Sequence, residues 1–312
     1  MFSTSFVLLT AFTAVLGAPA PFVRSKARAA PAAVTALSAS DLSALDPFTQ
    51  FARAAYCPVD KLMAWDCGEA CDATPASRQP LPAEWETRSS SSFNSLVGYY
   101  PKSNSVIVSH QGTDPVKLMS DLTDLNVFKG ELNSTLFPGD LPAGTEVHSG
   151  FRDEHALTAD EIQAEVKRLI AEKGATQVGH SLGGALAELD ALSLRLNLPT
   201  SVGVNAVTFG TPRVGNQEFV QFFDSQVTDF KRVNNENDLV PTVPGRFLGF
   251  VHPQGEIHIV DDSTGDIVAC PGNDDATDAK CQIKTVPSIL SGNIINHLGP
   301  YNGIFIGSIF CT

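Results

Sequence analysis

The sequence predicts an α/β domain with one mainly parallel central sheet covered by helices on both faces, and three observations predict it. Helical and strand patterns alternate through the middle of the chain. A Gly-x-Ser-x-Gly run stands at the head of a strongly amphipathic helix. No internal repeat or linker interrupts the 312 residues, so a single domain is expected.

The chain opens MFSTSFVLLTAFTAVLGAPAP, with an apolar run from Phe6 to Leu16 that ends in small residues. That run is too short for a bilayer and predicts a secretory signal peptide over 1–18, cleaved between Gly17 and Ala20. The Ala- and Ser-rich stretch that follows reads as a pro-segment or disordered spacer over 19–40, ahead of a domain over 41–312. No other apolar stretch approaches membrane length, so no transmembrane segment is expected. Hydrophobic residues at 43% and charged residues at 18% suit a globular core. A net charge of −13 disfavours nucleic acid and anionic headgroups as partners and leaves neutral substrates.

GYYPKSNSVIVSH predicts a hairpin, with Val97–Tyr100 and Ser105–His110 flanking a PKSN turn. Thr158 to Glu161 forms a capping-box pattern, and Ile162, Val166, Leu169 and Ile170 then recur at helical spacing until Gly174. Leu182, Leu186, Leu189 and Leu196 mark one face of a second helix, which Pro199 closes. Strands are expected over 201–209 and 230–233, and β-structure over 247–270.

An oxidising compartment favours pairing of the six cysteines. Cys57 and Cys311 lie near opposite ends of the mature chain, whereas Cys67 with Cys71 and Cys270 with Cys281 form local loops. Spacing alone does not choose among the possible pairings. No CxxC has a matching His spacing, so no metal is expected. Asn133-Ser134-Thr135 is an N-glycosylation sequon.

Gly179-His180-Ser181-Leu182-Gly183 fits the sharp strand-to-helix turn that lifts a serine hydroxyl clear of a sheet, the flanking glycines allowing close packing. Such a serine needs a histidine base and an acid, following it in the order acid then His. His110, His148, His155 and His180 fail that order, and His252 and His258 suit an ordinary strand pair. His297, in a loop near the C-terminus, is the candidate base. Asp238, just past the strand ending at Val233, is the candidate acid, with Glu236 as its alternative. One oxyanion N–H is expected from Leu182 at the helix N-terminus, and the second from the loop His110-Gln111-Gly112-Thr113. Pro115, Leu118, Met119, Leu122 and Leu125 then recur at helical spacing, as in a lid over an apolar acyl pocket or a fixed packed helix.

With those residues placed, the chain resembles the fungal class 3 (triacylglycerol) lipases, a branch of the α/β-hydrolases. AAYC, HQGTD, VHSGF, GHSLGGALAELDALSL, VTFGTPRVGN, NDLVPTVP and NHLGPYNG carry the resemblance, from about Ala54 to the C-terminus. It implies an α/β-hydrolase fold and secreted lipase or esterase activity without a cofactor. It implies Ser181 as nucleophile, Asp238 as acid, His297 as base, Thr113 as an oxyanion residue and Tyr56 as a pocket residue. It also implies the pairs Cys57–Cys311, Cys67–Cys71 and Cys270–Cys281. Long-chain acylglycerols at a lipid–water interface are the expected substrates. Asp114, Asp121 and Asp124 keep a feruloyl-type esterase as the runner-up, and a non-catalytic secreted binding protein is the alternative outside enzymes. One departure is expected to matter. Ala175 to Val178 is too short for both a loop and a central strand ahead of Gly179, unless the preceding helix ends early or a few residues are absent here.

Overall fold

A computed structural model describes residues 33–74, 85–89, 94–112, 128–173, 177–181 and 183–311. The expected signal peptide over 1–18, most of the 19–40 segment, Thr113, the helical pattern after it and Leu182 lie outside the described residues. No helix of the described residues is long and apolar enough to cross a membrane.

Among the described residues, strands β1 (Thr35–Ala36), β2 (Trp85–Ser89), β3 (Asn94–Tyr100), β4 (Ser105–His110), β5 (Lys129–Glu131), β6 (Glu146–His148), β7 (Gln177–Ser181), β8 (Gly203–Phe209), β9 (Asp229–Asn235), β10 (Glu256–Asp261) and β11 (Asp266–Cys270) form two sheets. Nine of them form one sheet in the order β1-β11-β10-β9-β8-β7-β4-β3-β2, and β5 pairs with β6 apart from it. Its centre, β4-β7-β8-β9-β10, is parallel. Antiparallel hairpins close both sides, so the sheet is mixed at its edges.

Alternation along the strands sends side chains to two helical layers. On one face Ile107 packs with Phe51 and Ala54, and Val207 and Phe209 with Ala52, all three partners being on helix Ala39–Ala54. On the other, Val106 and Val108 meet Ile162, Val166 and Leu169 of helix Ala159–Lys173. Ala206 there meets Leu189 and Leu192 of helix Gly184–Asn197, which connects β7 to β8.

The expected hairpin forms, with Tyr100 opposite Ser105 and Asn104 at φ +50, a conformation Asn tolerates in turns. The expected β-structure over 247–270 begins only at Glu256. Before it lie a 3-10 turn at Arg246–Leu248 and a single bridge at Val251. Gly249 and Gly255, at φ +79 and +93, break the extended run, and Pro253 lacks the N–H a ladder needs. His252 is therefore a buried loop residue facing the Pro241 carbonyl, not half of a strand pair.

Disulfides join Cys57 to Cys311, Cys67 to Cys71 and Cys270 to Cys281. In the 19–40 segment, β1 pairs with β11, and Ser38 caps the first helix reciprocally with Asp41.

Candidate active site

The carboxyl ends of parallel strands are where this class of sheet gathers its ligand-binding groups. β9 ends at Asn235, Glu236 turns the chain through φ +44, and the Asp238 N–H returns to the Asn235 carbonyl at 2.9 Å. That turn buries Asp238 completely. Its Oδ1 accepts the Val240 N–H at 2.9 Å, and its Oδ2 lies 2.8 Å from His297 Nδ1. Because the carboxylate accepts, Nδ1 carries the proton and Nε2 keeps the lone pair that a base requires.

His297 stands in the 3-10 turn Ile294–Leu298, and its loop is fastened to the acid turn at several points. Asn293 N–H donates to the Asn237 carbonyl at 2.7 Å, and Asn235 Nδ2 to the Asn296 carbonyl at 2.9 Å. Asn296 Nδ2 donates to the Glu236 carboxylate. Glu236, the alternative acid, is thus occupied in holding the histidine loop. The Tyr301 hydroxyl donates to the His297 carbonyl at 3.2 Å, and burial, reinforced by Asp238, pushes that hydroxyl well above its usual range.

Gly210, directly after β8, packs against the Asp238–His297 pair and was not singled out from the sequence. It holds φ +56, and a Cβ there would lie 2.5 Å from His297 Nδ1 and 2.7 Å from Asp238 Oδ2. Its local signal was a glycine ending an apolar strand, and only the fold shows what it makes room for.

The expected shortage ahead of Ser181 resolves in a specific way. The preceding helix runs to Lys173, and β7 reaches five residues by drawing Gly179, His180 and Ser181 into the strand. Ser181 then pairs in register with Ser109. On the other side His180 pairs with Ala206, which sets the Ser181 backbone level with Val207, three residues before Gly210. At roughly 3.3 Å per residue, that is about 10 Å along the strand. The Ser181 hydroxyl lies outside what the structure describes, as do Thr113 and Leu182.

Another Ser-His-Asp string exists in the fold. Ser95, His110 and Asp190 are hydrogen-bonded in sequence but are 3%, 1% and 2% exposed, so no substrate reaches them. Tyr56 is buried in the apolar cluster of Val207, Phe209 and Tyr301. Asn133 is exposed in a turn, its Oδ1 accepting the Thr135 N–H at 2.9 Å. Glu256, Cys270 and Cys281 converge as metal ligands would, yet the sulfurs are joined to each other and Glu256 pairs with Arg232 and the Gln282 N–H. Ile289, Leu290 and Ile295 stand 55%, 92% and 65% exposed in the chain segment that leads to His297, Ile295 on the same 3-10 turn.

The family described as Lipase (class 3) matches residues 107–248. Over 165 residues the chain is 37% identical to a secreted mono- and diacylglycerol lipase of Malassezia globosa, covering 52% of this chain and 54% of that protein. The chain thus spans about half the length of that relative. A second such lipase of the same organism is 30% identical over 221 residues, which cover 70% of each protein. Among solved structures, a triacylglycerol lipase with a serine-protease triad superposes with a TM-score of 0.73 at 25% identity, covering 90% of this chain and all of that one.

Proposed function

Because the chain belongs to the class 3 lipase family, we propose that it is a secreted serine ester hydrolase that cleaves acylglycerols at a lipid–water interface. The observation that carries the proposal is the 2.8 Å Asp238–His297 pair, which leaves Nε2 as a base at the carboxyl end of the strands where Ser181 closes β7. In this reading Nε2 takes the Ser181 proton as Oγ attacks the ester carbonyl. Asp238 holds the ring's tautomer and stabilises the imidazolium. The Thr113 and Leu182 N–H groups receive the oxyanion, the imidazolium gives its proton to the departing alcohol, and water repeats the cycle on the acyl-enzyme.

Exposed Ile289, Leu290 and Ile295, in the segment that leads to His297, support a lipid surface as the site of action, since exposed large apolar side chains favour docking onto apolar material. Secretion is supported by the three disulfides and by the relatives named as secreted. Asn133 is the proposed glycan acceptor and Tyr56 a wall of the acyl pocket.

The β7 register favours a second reading, a catalytically silent lipid-binding protein, because it holds the Ser181 backbone three residues short of Gly210. Rates on emulsified triolein, diolein and methyl ferulate, for the wild type and Ser181→Ala, separate these readings. The proposal expects the acylglycerols to be preferred and Ser181→Ala to be inactive on all three. A wild type no faster than buffer sinks the enzymatic reading, and preference for methyl ferulate sinks the acylglycerol assignment.

A further inference from the structure

Four buried side chains from four elements form one hydrogen-bonded string. Ser95 Oγ on β3 lies 2.9 Å from His110 Nδ1 at the end of β4. His110 Nε2 lies 2.5 Å from Asp190 Oδ2, and His155 Nε2 lies 2.9 Å from Asp190 Oδ1. Asp190 belongs to helix Gly184–Asn197 and His155 to helix Ser149–Ala156. A carboxylate only accepts, so both Nε2 atoms donate to it, and the Ser95 hydroxyl meets the other nitrogen of the His110 ring. Burial pushes the Asp190 carboxyl up, but the His155 and His110 rings outweigh burial and hold it well below the usual carboxylate range. Buried charged networks often contribute no more stability than apolar packing, and what this one visibly does is hold its members in fixed geometry.

The string reaches the two chain segments that lead to the oxyanion donors. His110 is followed by Gln111-Gly112 and then Thr113, and Gly183 follows Leu182. Gly183 holds φ +80, and a Cβ there would lie 2.4 Å from His110 Cβ and 3.0 Å from the Gln111 carbonyl oxygen. The end of β4 and the head of the helix are therefore in backbone contact. Asp190 follows Gly183 by about two helical turns, on the same face. His110 thus meets this helix twice, at Gly183 through its own Cβ and at Asp190 through its ring.

We propose that Asp190 is a positioning residue for ester hydrolysis: through His110 it fixes the end of β4 against the head of helix Gly184–Asn197, the two backbone segments from which the hydrolase reading draws its oxyanion donors. The inference rests on the serine-hydrolase reading above. Ser95 and His155 hold the His110 ring and the carboxylate from their outer sides. Donors set for the transition state lose effect when displaced by a fraction of an ångström, while ground-state binding is little changed.

The test compares wild type, Asp190→Asn and Ser95→Ala on soluble p-nitrophenyl butyrate, with butylboronic acid as a tetrahedral inhibitor and a thermal melt for each protein. Asp190→Asn should lower kcat about tenfold or more, leave KM within about twofold, and raise the boronate Ki by the same factor as the loss in kcat/KM. Ser95→Ala removes one hydroxyl from the outer end and should show the same pattern at about threefold, with a near-native melt. If Asp190→Asn does not fold, Ser95→Ala decides alone. Folded variants with wild-type kcat and Ki overturn the inference, as does a loss confined to KM or to melting temperature. An inactive wild type overturns the hydrolase reading and this inference together, whereas an active wild type with unaffected variants overturns only this one.

Discussion

The proton on His297 Nδ1 is committed to Asp238, and Gly210 packs directly against that bond. Gly210→Ala adds a methyl 2.5 Å from Nδ1 at a φ of +56. We expect kcat on p-nitrophenyl butyrate to fall about a hundredfold, with about 1–2 kcal/mol of stability lost in urea melts. A variant with wild-type kcat would show that the pair tolerates displacement. The Asp238–His297 pair was approachable from the sequence because each residue sits in a loop past an apolar run, and Ser181 is proposed from a glycine-flanked turn. Gly210, Asn296 and Asp190 were not, because their importance lies in contacts with residues far away in the chain. Glu236 and Asp238 stood as alternatives until the turn buried one of them and left the other facing Asn296.

At the scale of elements, helix Gly184–Asn197 carries a second buried carboxyl with a different fate. Glu188 is fully buried, and among the described residues neither of its oxygens has a hydrogen-bond partner. Burial pushes it well above the usual carboxylate range, opposed by Arg232. Its folded pKa exceeds an unfolded value of about 4.3, so its contribution is fully present below that pH and is lost as pH rises through the folded value. Glu188→Gln should therefore gain stability over wild type by about 1 kcal/mol or more between pH 5 and pH 8, read from urea melts. Parallel pH profiles would contradict this. The exposed apolar segment gives a separate expectation. Leu290→Asp with Ile295→Asp should cut the rate on emulsified triolein about tenfold or more while leaving p-nitrophenyl butyrate within about twofold. Equal losses on both substrates would place these residues in the chemistry instead. Periodicity made the hairpin and the central helices readable. It misread 247–255, where glycine conformation and Pro253 break the extended run.

The whole molecule is closed by a tie between its ends. Cys57–Cys311 spans 254 residues, and Arg53 donates from Nε and Nη2 to the Phe310 carbonyl at 3.1 and 2.8 Å. Replacing both cysteines by alanine should cost about 4 kcal/mol in denaturant unfolding, because so long a loop loses much entropy on closure. A change below about 1 kcal/mol would show that the sheet holds the termini unaided. The alternation of helices and strands revealed the sheet, but the sequence pattern did not reveal how far up the sheet β7 carries Ser181. That height depends on pairing with β4 and β8. The central claim is that Ser181 is activated by His297. Intact-mass labelling with a fluorophosphonate tests it most directly, on the wild type, Ser181→Ala and His297→Gln. The account predicts one adduct per wild-type chain, mapped to Ser181, and none on either variant in the same time. A wild type that stays unlabelled, or label that persists on Ser181→Ala, would contradict it.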